Sequence, residues 1–213
     1  MSRFIVTLAL LMNFVSVGHA ATFYSVEADF VAATGFIAAE SFESFADSGG
    51  LTLSLISVPG FSISTAPDLN LGILDATFQE VHATDGTRTA FWGAFASNQN
   101  VTFSFDSPIT AFGTMITDAL DGGLPGAQLL LSTNGGDNSL VASGALPTGN
   151  EIFFGLVGAA PFTQLTFTVT QMPSTGDGLG FDEVRLTAVP EPSTAGLVLL
   201  GLSMLAARRC WRE

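Results

Sequence analysis

Residues 98–108 read Asn98-Gln99-Asn100-Val101-Thr102-Phe103-Ser104-Phe105-Asp106-Ser107-Pro108. From Val101 to Phe105 apolar and hydroxyl side chains alternate strictly, the signature of a strand with one face buried and one in water. Turn-forming residues bracket it on both sides, Asn98 to Asn100 before and Asp106-Ser107-Pro108 after. A chain built from such units is a sheet protein.

Its neighbours repeat the theme. Ile109 to Thr117 is a longer, more continuously apolar strand, and Arg88 to Phe95 carries Phe91, Trp92 and Phe95 into a core strand after a turn at Asp85-Gly86. Further upstream, Phe61 to Ser64 alternates, and Leu51 to Ser57 sets Leu51, Leu53 and Leu55 against Thr52 and Ser54. Glu40-Ser41-Phe42-Glu43-Ser44-Phe45 reads as a half-buried strand with both phenylalanines inward, followed by a turn at Asp47 to Gly50. The irregular stretch Ala66 to Glu80 reads mostly as loop, and a short helix is expected before Gly35.

Downstream, Ala127 to Ser132 and Ser139 to Ser143 form a hairpin around Asn134 to Asn138. Glu151 to Val157 and Gln164 to Thr170 are strands separated by residues 158–163. Phe181 to Leu186 closes the set after a glycine-rich turn, Ser174 to Gly180. About ten short strands with Gly, Pro, Asn and Asp turns predict an all-β fold, an antiparallel β-sandwich. A jelly-roll-like topology is expected, because its strands wrap edges that a flat sheet would expose.

The two ends have a different composition. Met1 to Ala20 has Arg3, an apolar run from Phe4 to Val17 and a small-x-small site at Gly18-His19-Ala20, which together read as a signal peptide. At the other end Val189-Pro190-Glu191-Pro192 leads into an uncharged run from Ser193 to Ala207, closed by Arg208, Arg209 and Arg212. The prolines stop the last strand, since neither ring nitrogen can donate to a ladder. The run of fifteen residues is a short transmembrane helix, below the roughly twenty residues of an untilted span. The arginines behind it hold the C-terminus in the cytoplasm and the domain outside. The organisation is therefore 1–20 signal peptide, 21–188 ectodomain and 189–213 tail.

The ectodomain has two arginines, Arg88 and Arg185, no lysine, and seventeen Asp and Glu, a formal charge of −15. Such a surface repels phosphate backbones and excludes nucleic acid as a partner. Cys210 lies beyond the apolar run, so the ectodomain has no disulfide and no thiol chemistry.

The tail resembles the PEP-CTERM sorting signal of exported bacterial proteins, on Val189, Pro190, Glu191, Pro192, the apolar helix, Arg208 and Arg209. The resemblance implies recognition by an exosortase, transient anchoring in the membrane, and delivery to the cell surface or extracellular matrix. A weaker resemblance, on Phe153 to Val157, Pro161 to Phe167 and Asp177 to Val184, is to PEP-CTERM ectodomains similar to jelly-roll carbohydrate-binding modules. It implies a sandwich fold and no particular activity; the order of signal, sandwich and sorting tail is what makes exopolysaccharide or matrix components the expected partners.

Chemistry concentrates at Asp177-Gly178-Leu179-Gly180-Phe181-Asp182-Glu183-Val184, where glycines let carboxylates and carbonyls converge as Ca²⁺ requires. The likeness to jelly-roll modules sets Glu40 or Glu43, with Asp47, opposite Asp182 or Glu183 at a structural calcium. Against this stands a plain turn at Asp177-Gly178 and a solvated Glu183. Asp118 and Asp121 read as an exposed polar turn, and Trp92 as core rather than a sugar platform. His82, beside Thr84 and Asp85, is the only ectodomain histidine, and one histidine builds no His-rich zinc centre. No nucleophile elbow is present. The reading is a non-enzymatic surface or matrix protein; the alternative is a secreted glycan hydrolase using a carboxylate pair.

Overall fold

A computed structural model describes residues 20–35, 39–65, 70–77, 81–94, 98–121, 125–170 and 177–188. The signal peptide up to residue 19 and the tail from residue 189 lie outside the described residues. Among the described residues no helix is long and apolar enough to cross a membrane.

In chain order the elements are β1 (Thr22–Tyr24), α1 (Glu27–Thr34), β2 (Ala39–Glu40), β3 (Leu55–Val58), β4 (Phe61–Thr65) and β5 (Leu71–Asp75). Then follow β6 (Arg88–Ala94), β7 (Gln99–Thr117), β8 (Gln128–Thr133), β9 (Asn138–Ser143), β10 (Glu151–Thr170) and β11 (Asp177–Ala188). All pairings between these strands are antiparallel.

Two long strands, β7 and β10, pair with each other twice. Residues 99–104 of β7 face 164–169 of β10, and residues 109–117 face 151–162, with register shifts between Val157 and Gln164. Each strand therefore turns a corner and belongs to two sheets. Sheet I runs β5-β6-β11-β7-β10-β1 through the later part of β7, with β2 added on β11. Sheet II runs β3-β4-β7-β10-β8-β9 through its earlier part. Pro108 and Pro161 both sit exposed at the corners, where a missing N–H costs no ladder bond.

The sheets close face to face over a phenylalanine core. Phe103 of sheet II is fully buried and meets Phe181 of sheet I at 5.2 Å and Phe112 at 5.2 Å, both edge-on. Phe167 meets the same Phe181 at 5.2 Å. Edge-to-face rings set the positive rim of one against the negative face of the next, beyond simple burial of area. This is the antiparallel β-sandwich the alternation predicts, with the wrapped, jelly-roll-like edges coming from strands that change sheet.

A second, smaller cluster lies on the outer face of sheet I. There α1 lays Phe30 against Ala111 and Phe153. The ring rests on a facing pair of glycines, Gly113 and Gly155; a Cβ on either would stand 2.8 or 2.7 Å from it. Glu27 and Asp29 occupy the first turn of the helix, and Gly35, at φ 82°, ends it by donating to the Val31 carbonyl.

Several local expectations change. Asp106-Ser107-Pro108 and residues 158–163 are corners inside continuous strands rather than turns between separate ones. Residues 71–75, read as loop, form the buried strand β5. Phe42 is buried and stacks near Phe45, but in a turn: Phe42 has φ 61° and the Phe45 N–H donates to its carbonyl. Strand β3 has the opposite phase, with Ile56 and Val58 inward and Leu55 exposed. Gly178 and Gly180 lie in β11, not in a turn.

Candidate functional site

Two of the acidic residues singled out by sequence, Asp182 and Glu43, hold one loop, Thr84 to Arg88, at the end of sheet I. A register shift in β11 between Asp182 and Arg185, with Glu183 at φ 48°, turns the Asp182 side chain into the protein, where it is fully buried. Its Oδ2 accepts from the Thr84 N–H (2.8 Å), the Thr84 hydroxyl (3.0 Å) and the Asp85 N–H (3.0 Å). Its Oδ1 accepts from the Glu183 N–H at 2.8 Å. Burial pushes the Asp182 carboxyl above its ordinary range, and the N–H donors of Asp85, Glu183 and Thr84 oppose that only in part.

Glu43 holds the other end of the same loop. Its Oε1 accepts from the N–H groups of Thr87 (2.7 Å) and Arg88 (2.6 Å). The Thr87 hydrogen bond is the main reason its carboxyl lies below the usual range. An early carboxylate and a last-strand carboxylate thus hold the two ends of one loop, each accepting from that loop's backbone N–H groups. The remaining members have other partners. Glu40 accepts from the Phe42 N–H at 2.7 Å and Asp47 from the Gly49 N–H at 2.8 Å. Asp177 pairs with Ala94 in the β6–β11 ladder. Glu183 lies 3.6 Å from the guanidinium of the buried Arg185, which also bonds Glu27 of α1 at 2.6 Å. Burial raises the Glu183 carboxyl, against the pull of Arg185. Among the described residues no three His, Cys, Asp or Glu side chains converge as a metal site would require.

Asp118 departs from its expected exposure. It is buried at φ 56°, with His82 Nδ1 at 2.9 and 3.0 Å from its two oxygens and the Gly149 N–H donating at 3.1 Å. The Thr117 hydroxyl holds the His82 carbonyl at 2.9 Å. The pair clamps three connections together. Asp121 is half-buried, and Trp92, at 1% exposure, is core.

A second surface was not singled out by sequence. The outer face of sheet II is uncharged: no Asp, Glu, Lys, Arg or His occurs in β3, β4, β8, β9, residues 99–105 of β7 or residues 164–170 of β10. Register places its outward side chains in rows across the strands. One row runs Leu55, Ser64, Thr102, Thr166, Ser132, Asn138 across all six strands. Beside it run Asn100, Thr168, Leu130 and Leu140 on one side and Ser57, Ser62, Ser104 and Gln164 on the other. At an interstrand spacing of about 4.8 Å the longest row covers about 24 Å. Neighbours in the rows already bond one another: Thr102 and Thr166 hydroxyls at 3.1 Å, Thr168 to Asn100 at 2.7 Å. At the β8–β9 end the rows sink into an open groove of about 450 Å³ lined by Leu130, Ser132, Asn138, Ser139, Leu140 and Thr168. Leu140 is 51% exposed. The polar members of each alternating strand were the available signal; that none is charged shows only once the strands are aligned.

Where β11 ends, at Ala188, the sequence match begins: a model of the PEP-CTERM protein-sorting motif matches residues 188–212. The chain carries a PEP-CTERM sorting signal. It is the sorting signal of an exported protein, and Val189, Pro190, Glu191, Pro192, Arg208 and Arg209 fall within the matched stretch. No curated protein sequence matches the chain.

Among solved structures, the K2 cleaved adhesin domain of Lys-gingipain is similar at 14% identity and TM-score 0.46, covering 70% of this chain and 98% of that one. The K1 cleaved adhesin domain of the same protein, from Porphyromonas gingivalis W83, is similar at 13% identity and TM-score 0.45, covering 73% and 100%. TmCBM61, solved with β-1,4-galactotriose, is similar at 15% identity and TM-score 0.38, covering 70% and 94%.

Proposed function

We propose that this PEP-CTERM protein is a non-enzymatic component of the cell surface or extracellular matrix, delivered there through its tail and associated with exopolysaccharide. One observation carries the reading: the sorting motif follows directly on the last strand of the sandwich, at Ala188. The tail would hold the domain outside the inner membrane until an exosortase removes it. An uncharged span of fifteen residues suits a temporary hold better than a permanent one.

The non-enzymatic part is supported by how the carboxylates are used. A glycan hydrolase needs two carboxyl groups facing each other across a cleft. Asp182, Glu43 and Asp118 are instead occupied by N–H, hydroxyl or imidazole groups of the protein itself.

Cells producing the full chain or a form ending at Ala188 are fractionated, and the mature protein is weighed by mass spectrometry. The full chain is expected at the surface or in the matrix without its Arg208 to Glu213 end, and the shortened form in soluble export fractions only. Equal surface retention of the shortened form overturns the sorting role, and an intact end on all surface material overturns processing.

A further inference from the structure

We infer that the uncharged outer face of sheet II is a platform for a neutral polysaccharide, with the β8–β9 groove as its deepest subsite. The inference rests on the surface or matrix reading above and names the ligand class and the residues.

Charge is the first argument. The ectodomain carries −15, yet the six strand segments of this face contribute none of it. An acidic polymer would be repelled from the surrounding protein, and a cationic one would find no carboxylate here to pair with. A neutral chain meets neither penalty.

The second argument is chemical fit. A sugar ring presents apolar C–H faces and hydroxyl edges. In the groove Leu130 and the half-exposed Leu140 stand side by side in register, an apolar floor, with Ser132, Asn138 and Thr168 around it. Hydroxyl and amide side chains both donate and accept, so they follow the paired donor and acceptor character of sugar hydroxyls. Side chains in the rows recur at the strand spacing, so a chain lying across the strands meets the same chemistry again at each step.

The third argument concerns affinity. The face carries no aromatic ring on which a sugar could stack, because the phenylalanines of these strands all point into the core. Each subsite is therefore weak, and binding grows with chain length as successive sugars engage neighbouring rows. That suits a protein held in a matrix of long polymers.

The test uses the full chain in mild detergent, run by affinity electrophoresis in gels containing dextran, galactan, xylan or mixed-linkage glucan as neutral probes, and alginate or hyaluronate as acidic ones. At least one neutral polymer is expected to retard it, at low and high salt alike, and the acidic ones not. Thr166→Asp and Leu140→Asp, each adding a charge to the face, should weaken retardation about tenfold or more while the melting temperature stays within a few degrees. A control charge on the other sheet, Thr110→Asp, should leave retardation unchanged. Retardation untouched by both face variants places the site elsewhere and overturns the inference. So does retardation by the acidic polymers alone, or by none of the panel. Surface delivery is read separately by fractionation, so loss of the platform and loss of the sorting reading are distinguishable.

Discussion

The two sheets share β7 and β10 and one phenylalanine core, yet their outer faces are opposites. Sheet I is covered and tied down: α1 packs on it, Arg88 and Arg185 lie in its strands, and its end loop is held by Asp182, Glu43 and the His82–Asp118 pair. Sheet II leaves six strands of hydroxyl, amide and leucine side chains open to solvent with no charge among them. The difference separates tasks. Side chains that tie the helix and the end loop to the fold lie on one side, so the other side can vary its exposed chemistry at little cost to stability.

The strongest way to break this comparison is to exchange equivalent insults between the sheets. Asp182→Ala strands the N–H groups of Thr84, Asp85 and Glu183 and the Thr84 hydroxyl. Each buried donor left unmade costs about 1–3 kcal/mol, and because the losses are not additive we expect about 3–5 kcal/mol in all. Thr166→Ala on sheet II removes only a half-exposed hydroxyl pair with Thr102 and should cost under about 0.5 kcal/mol. Urea unfolding of both variants decides it. Similar losses would mean that sheet II is as constrained as sheet I.

The cover on sheet I can be lifted more gently. In Gly155→Ala the new methyl would sit 2.7 Å from the Phe30 ring, so the ring and α1 must shift. Overpacking of this kind costs about 1–3 kcal/mol. Hydrogen exchange should report the change first in residues 27–34, with sheet II unaffected; protection lost evenly over both sheets would contradict the separation.

What the sequence revealed follows the same divide. Alternation in Val101 to Phe105 and Gln164 to Thr170 identifies sandwich strands with phenylalanines inward, because a half-buried strand has to alternate. The corners were not legible: Asp106-Ser107-Pro108 has turn composition, and only the break in register it shares with residues 158–161 shows two strands bending together. Strand β5 was missed because Leu71 to Leu74 is buried on both faces and so does not alternate. At the corner of sheet I the sequence drew attention to Glu43 and Asp182, but not to the loop amides that they bond. Backbone amides of a loop carry no residue-type signal. Asp118 was misplaced for a related reason, since its burial depends on His82, distant in sequence. The open face of sheet II was present in every strand as Ser, Thr and Asn, but an absence of charge becomes a surface only when register brings six strands together.

The smallest expected effect is a pH dependence, and its sign distinguishes the carboxylates of the corner. Asp182 and Glu183 have folded-state values above their ordinary 3.8 and 4.5, mainly through burial. Their ionisation therefore opposes folding, and stability should rise as the pH falls from above the raised values toward 4.5. Glu43 and Asp75 have lowered values, each chiefly through a backbone N–H, from Thr87 and Thr77 respectively. Their contribution is present above their ordinary values and is lost as the pH falls through the lowered ones. Relief of repulsion in a domain of charge −15 acts in the same direction as the first pair. The melting temperature should thus pass through a maximum on the acid side of neutrality and fall at lower pH. Glu183→Gln removes one raised carboxyl and should flatten the rise on the neutral side, leaving the acid fall in place. A melting temperature that declines steadily from neutrality would mean that the N–H donors around Asp182 outweigh its burial, and the corner would then be stabilised by charge in the way Glu43 is.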